Sequence, residues 1–133
     1  MAELESILHV DDDEDILELT KMSLEIVGGY EVHQFSSAKE ALESVERLQP
    51  DLLLLDVMMP DADGPTLLSR IRKLPGYRET PAVFMTAKAE AAENQALKAT
   101  GVLGVITKPF DPMRLPEKLA RLWEGGTSCA AAV

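Results

Sequence analysis

The sequence predicts an α/β protein built on a five-stranded parallel sheet with helices on both faces. Three observations carry this. Five short apolar runs alternate with segments whose apolar residues recur at helical spacing, which is the pattern of repeated β-α units joined by right-handed crossovers. One run, Leu52 to Leu55, is apolar at every position, as a strand covered on both faces should be. The chain has 133 residues, room for one domain, and no internal repeat or linker interrupts the alternation.

The elements follow in order. Ile7 to Val10 forms the first strand. From Asp13 to Val27, Ile16, Leu17, Thr20, Leu24 and Val27 make an inward stripe, and Glu14, Glu18, Lys21 and Glu25 make the wet face. Tyr30 to Phe35 alternates in polarity, which places it near a sheet edge. Ser37 and Glu40 have capping-box spacing and open a helix that buries Ala38, Ala41, Leu42 and Val45. After the Leu52 strand, Pro65 suits a first helical turn, and Leu67, Leu68, Ile71 and Leu74 form its stripe. Ala82 to Met85 is the fourth strand. Residues 89–99 are alanine-rich and weakly amphipathic, the weakest of the helical patterns. Val102 to Thr107 is the fifth strand, and Leu115, Leu119 and Leu122 mark a last helix. Pro112 and Pro116 crowd its entry, so it starts near Leu115. This places the domain at residues 1–124 and leaves 125–133 as a disordered C-terminal tail.

Charge narrows the function. The chain carries 23 acidic and 13 basic residues, a net charge of -10, and eight of the acids lie in the first eighteen positions. Polyanions require Lys/Arg surfaces, so direct binding to nucleic acid or to an anionic membrane is not expected. No apolar run is long enough to span a bilayer, and the acidic start lacks a signal-peptide pattern. The one cysteine, Cys129, can form neither an internal disulfide nor a Cys-based zinc site. These features point to the cytoplasm.

In an open parallel α/β sheet, ligands bind beyond the carboxyl ends of the strands. Strand 1 ends in Asp11, Asp12 and Asp13, strand 3 in Asp56, strand 4 in Thr86, and strand 5 in Lys108 and Pro109. Carboxylates, a hydroxyl and an ammonium therefore converge on one edge. Two carboxylates roughly 5 Å apart at an effective dielectric near 20 repel by about 3 kcal/mol, and three by on the order of 10 kcal/mol. One Lys cannot offset that. A hard divalent cation can, and oxygen ligands favour Mg²⁺, with Mn²⁺ the alternative. Such a site suits phosphoryl chemistry, with a carboxylate as nucleophile and Lys108 and the metal neutralising charge. Asp13, Glu14 and Asp15 are explained more simply as an N-cap and first-turn acids. An EF-hand reading fails because Ile16 stands where Gly is needed and Met22 where the bidentate Glu belongs. No phosphate-cradling glycine loop is present.

Four segments carry a family resemblance. They are Ile7-Leu8-His9-Val10-Asp11-Asp12-Asp13-Glu14, the stretch from Asp51 to Gly64, Pro81-Ala82-Val83-Phe84-Met85-Thr86-Ala87, and Thr107-Lys108-Pro109-Phe110. Together they resemble the receiver domain of a two-component response regulator, similar to the stand-alone chemotaxis type with its flavodoxin-like, doubly wound (βα)5 fold. The resemblance implies that Asp56 accepts a phosphoryl group from a sensor histidine kinase or a histidine phosphotransfer protein. It implies that Asp11, Asp12, Asp56 and the backbone carbonyl of Met58 hold Mg²⁺. Thr86 and Lys108 would respond to the phosphoryl group, and the Lys108–Pro109 peptide would be cis. The output would be protein–protein contact with an unnamed effector, and the chain would be no enzyme beyond its own phosphorylation and dephosphorylation. The alternative is an aspartyl-phosphate phosphatase or phosphotransferase of the haloacid-dehalogenase type. Such enzymes need an Asp two residues after the nucleophile, where this chain has Met58.

Two departures from the family stand out. Met58 and Lys88 occupy the positions that flank the phosphoryl group, where shielding by Met58 and pairing by Lys88 would lengthen its life. Val105 stands where the family often has an aromatic switch residue, so the output surface is expected to respond by backbone and fourth-helix movement instead. His9 reads as a half-buried strand residue, His33 as sheet surface, and Trp123 as packing at the end of the last helix. Asp61 and Asp63 read as caps of the third helix, with tuning of metal affinity a second role for Asp61.

Overall fold

The computed structural model describes residues 3–87 and 101–132, with side chains through residue 125. In order these are β1 (Ser6–Val10), α1 (Glu14–Met22) with a π-helical turn (Ser23–Val27), β2 (Glu31–Phe35), α2 (Ala38–Leu48), β3 (Leu52–Asp56), α3 (Gly64–Arg72), β4 (Ala82–Thr86), β5 (Gly104–Thr107) and α4 (Leu115–Ala132). The helix expected over 89–99, together with Lys88, lies outside the described residues. The five strands form one parallel sheet in the order β2-β1-β3-β4-β5. Every residue of β3 and β4 is buried. The alternating β2 is an edge strand, as its pattern required.

Strand periodicity sorts the core into two layers. Leu8, Val10, Leu53, Leu55 and Phe84 face α2 and α3, where Ala41, Val45, Leu67 and Ile71 meet them. Ile7, Leu52, Leu54, Val83, Met85 and Ile106 face the opposite way, onto Leu24, Leu115 and Leu119. Local signals set the helix starts. Asp13 caps α1 by accepting from the Asp15 and Ile16 amides. Ser37 caps α2 through the Glu40 amide, and Asp63 caps α3 through that of Thr66.

Two segments differ from the sequence expectation. The first helix does not remain α-helical to Val27. The Gly28 N–H reaches the Ser23 carbonyl, five residues back, and the extra residue in the turn shifts the inward stripe. Leu24 stays buried, but Val27 is 46% exposed and its neighbour Ile26 is 76% exposed. The Ser23 hydroxyl, itself buried, donates to the Pro112 carbonyl and ties this turn to the entry of α4. At the other end of the chain, the helical backbone of α4 continues through the stretch read as a tail. Ala130, Ala131 and Ala132 lie there, and alanine has the strongest helix propensity.

Candidate functional site

The strand order reverses between β1 and β3, and the acidic residues sit at the carboxyl ends of those two strands. Asp11 is fully buried and Asp56 nearly so, whereas Asp12 is exposed. One carboxylate oxygen from each of Asp11, Asp12 and Asp56 lies within 4.8 Å of the others. Lys108, directly after β5, reaches into the same space. Its Nζ donates to Asp11 Oδ2 at 2.8 Å and to Asp56 Oδ1 at 3.0 Å. The remaining Asp11 oxygen accepts from the Asp13 amide, so Asp11 is held from both sides.

Backbone bonds between neighbouring strand ends fix these positions. The Val57 N–H donates to the Met85 carbonyl, and the Lys108 N–H to the Thr86 carbonyl at 2.7 Å. Thr86 is buried at the end of β4. The Lys108–Pro109 peptide is cis. Met58 lies on the loop after β3 with its side chain 71% exposed, and its backbone N–H helps hold the Asp56 carboxylate. Gly64 begins α3 directly against the site. A Cβ there would stand 2.6 Å from the Asp56 carbonyl oxygen and 3.2 Å from the Phe84 ring, so only glycine fits this close approach.

The electrostatics follow from burial and crowding. Burial, and then the neighbouring Asp11, push the Asp56 carboxyl up from 3.8 to about 6, against the pull of its Lys108 and Met58 bonds. Burial alone would depress Lys108, but its bonds to Asp11 and Asp56 outweigh that and raise it. One ammonium therefore faces three carboxylates, and the most buried pair is already strained by mutual repulsion. All the clustered side-chain donors are oxygens. That set fits Mg²⁺ or Mn²⁺, which prefer a few carboxylates completed by water and carbonyl oxygen.

His9, on β1 below Asp11, is wholly buried, more than its sequence suggested. Gln34 Nε2 donates to the Leu17 carbonyl and lies 3.1 Å from His9 Nδ1, which assigns Nδ1 as an acceptor. Burial, and then Lys108, lower its basicity to about 3, so it is a neutral core residue. His33 is partly buried beside Glu31, and Trp123 packs against the layer around α4. Of the two acids expected to cap α3, only Asp63 does so. Asp61 instead accepts from the Ala38 and Lys39 amides of α2. These partners are 22 and 23 residues distant in sequence, beyond the reach of any local capping signal.

The sequence matches the family described as the response regulator receiver domain over residues 7–120. A 14.6 kDa protein of Leptolyngbya boryana from the sodA1 3′ region is 43% identical over 109 residues, covering 82% of each chain. Response regulator Rre1 of Synechocystis is 34% identical over 115 residues, covering 86% of this chain and 50% of its own length. The chain thus spans about half the length of that relative, and less than half of several others. Among solved structures, chemotaxis response regulator CheY4 of Vibrio cholerae superposes with a TM-score of 0.82. It is 30% identical, and the match covers 90% of this chain and 98% of CheY4. The fold, the acidic cluster and the lysine at the end of β5 meet in one assignment: the chain belongs to the response regulator receiver domains, phosphorylation-activated signalling modules rather than enzymes.

Proposed function

We propose that Asp56 is the phosphoacceptor and that a sensor histidine kinase, or a histidine phosphotransfer protein, is the donor. The observation that carries this reading is a buried carboxylate within a three-carboxylate cluster, 3.0 Å from the Lys108 ammonium. An Asp56 oxygen attacks phosphorus in line, forming a P–O bond as the P–N bond of the phosphoimidazole breaks. The electron pair returns to the imidazole nitrogen, and the acceptor becomes an acyl phosphate. Asp11, Asp12, Asp56 and the Met58 carbonyl would hold Mg²⁺, with Mn²⁺ the alternative. When bound, the metal neutralises charge on the phosphoryl oxygens.

Lys108 already spans Asp11 and Asp56, so a dianionic phosphoryl group competes for its ammonium with partners it holds in the resting protein. The Thr86 hydroxyl supplies a further donor to the phosphoryl oxygens. Because the Lys108 N–H bonds the Thr86 carbonyl, motion at either strand end is felt at the other. Val105, which is paired with Phe84 across β4 and β5, offers no ring to rotate. The response therefore travels through the backbone of β5 to a surface that meets a protein effector. We place this function in the cytoplasm. Among the described residues no helix is long and apolar enough to cross a membrane.

Incubation with acetyl phosphate should label the protein in Mg²⁺ and leave it unlabelled in excess EDTA. Equal labelling in both would remove the metal from the account. With Met58 exposed on the loop after Asp56, its side chain is available to screen the acyl phosphate from water. Met58→Asn should shorten the half-life of the phosphorylated protein severalfold, followed as loss of label after removal of donor. An unchanged decay rate would assign Met58 no screening role.

A further inference from the structure

Asp61 lies five residues beyond Asp56 and does not serve the helix it precedes. Its Oδ1 accepts from the Ala38 N–H at 3.3 Å and its Oδ2 from the Lys39 N–H at 3.1 Å. Both amides belong to the first turn of α2, where the helix dipole favours an anion. The Lys39 bond is the main reason that the Asp61 carboxyl titrates below its ordinary range. Ser37 already caps the same helix through Glu40, so Asp61 adds something other than a local cap. It joins the loop that follows the phosphoacceptor to a helix on the far side of that loop.

The loop has firm ends and a partly exposed middle. The Val57 N–H is bonded to Met85, the Val57 carbonyl accepts from Gly64, and Asp63 is engaged as the α3 cap. Between them, Met58 and Pro60 are exposed, while Met59 packs against the core layer of α2 and α3 and the Met58 N–H bonds the Asp56 carboxylate. Asp61 is the attachment that joins this stretch to a neighbouring helix.

We propose that Asp61 is a positioning residue for the metal-binding loop. By gripping the α2 N-terminus it holds the backbone of residues 57–60, the Met58 carbonyl included, in the arrangement that receives a divalent cation. This rests on the reading of Asp11, Asp12 and Asp56 as a Mg²⁺ site. Residues that act on a metal through another group commonly change affinity by tenfold or more, and an exposed tether should act at or below the lower end of that range.

Mg²⁺ titrations of the full chain, followed by amide NMR shifts of residues 56–59, test it. Native-state hydrogen exchange of the Ala38 and Lys39 amides is measured alongside. Asp61→Ala should weaken Mg²⁺ binding about three- to tenfold and speed exchange at both amides. Asp61→Asn keeps an acceptor oxygen and should fall between it and wild type. The deficit should persist in high salt, which screens through-space charge. Ser37→Ala removes a cap from the same helix but not the tether, and should leave Mg²⁺ affinity within about twofold. Wild-type affinity in Asp61→Ala overturns the proposal. So does a deficit that salt abolishes, or an equal deficit in Ser37→Ala. If wild type itself binds no Mg²⁺, the metal reading falls, and this inference falls with it.

Discussion

Asp56→Asn should make the metal-free protein more stable at neutral pH, although it removes the proposed reactive group. The Asp56 carboxyl is pushed from 3.8 to about 6 by burial and by Asp11, so its ionised form opposes folding. The sign follows from proton binding. Between about pH 4 and pH 6 the native state holds this proton more tightly than the unfolded chain does. Wild-type stability from this group therefore declines as pH rises through that window and is flat above it. The rise from 3.8 to about 6 corresponds to about 3 kcal/mol, which is a ceiling, because Asn also weakens the bond to Lys108. We expect a gain of about 1–2 kcal/mol at pH 7, or a rise in Tm of about 3–8 °C, vanishing near pH 4. Thermal melts of both proteins in EDTA across that pH range check it. A variant less stable than wild type at pH 7 would show that the ion pair with Lys108 outweighs the repulsion.

Lys108→Ala should have the opposite and larger effect. Its ammonium is the counter-charge that the structure places on fully buried Asp11 and nearly buried Asp56. Removing one partner of a buried ion pair typically costs about 3–5 kcal/mol, because the remaining charge is left uncompensated. Here the cost should be largest at neutral pH and shrink as pH falls through about 6, where Asp56 takes up its proton. In wild type the raised Lys108 keeps its contribution through neutral pH, and this is lost only as pH rises through its elevated alkaline range. Millimolar Mg²⁺ should recover part of the loss, since a cation replaces a cation. Denaturant melts at pH 5 and pH 7, with and without Mg²⁺, separate these terms. A loss independent of both pH and metal would mean that Lys108 acts by packing its methylenes.

How far the sequence disclosed this arrangement depends on the range of the interactions. Periodicity located each described strand, and the start of each described helix, to within a few residues, because a strand or helix declares its buried face every two or three to four positions. The site was legible for a related reason. Parallel strands bring their carboxyl ends to one edge, so Asp11, Asp12, Asp56, Thr86 and Lys108 could be assigned to that edge from the strand ends they occupy. What escaped were contacts with no local signature. The π-turn at Ser23 accompanies a bond from Ser23 to Pro112, 89 residues on. The bond from Asp61 to α2 depends on how a loop folds over a neighbouring helix. His9 looked half-buried because it is polar, and the partner that lets it be wholly buried, Gln34, comes from the adjoining strand.

The central claim is that Asp56 receives a phosphoryl group in a metal-dependent site. Intact mass after incubation with acetyl phosphate and Mg²⁺ tests it most directly, on wild type and Asp56→Asn side by side. Wild type should gain the mass of one phosphoryl group, and the variant none. Equal labelling of both proteins, or no labelling of a folded wild type that binds Mg²⁺, would contradict it.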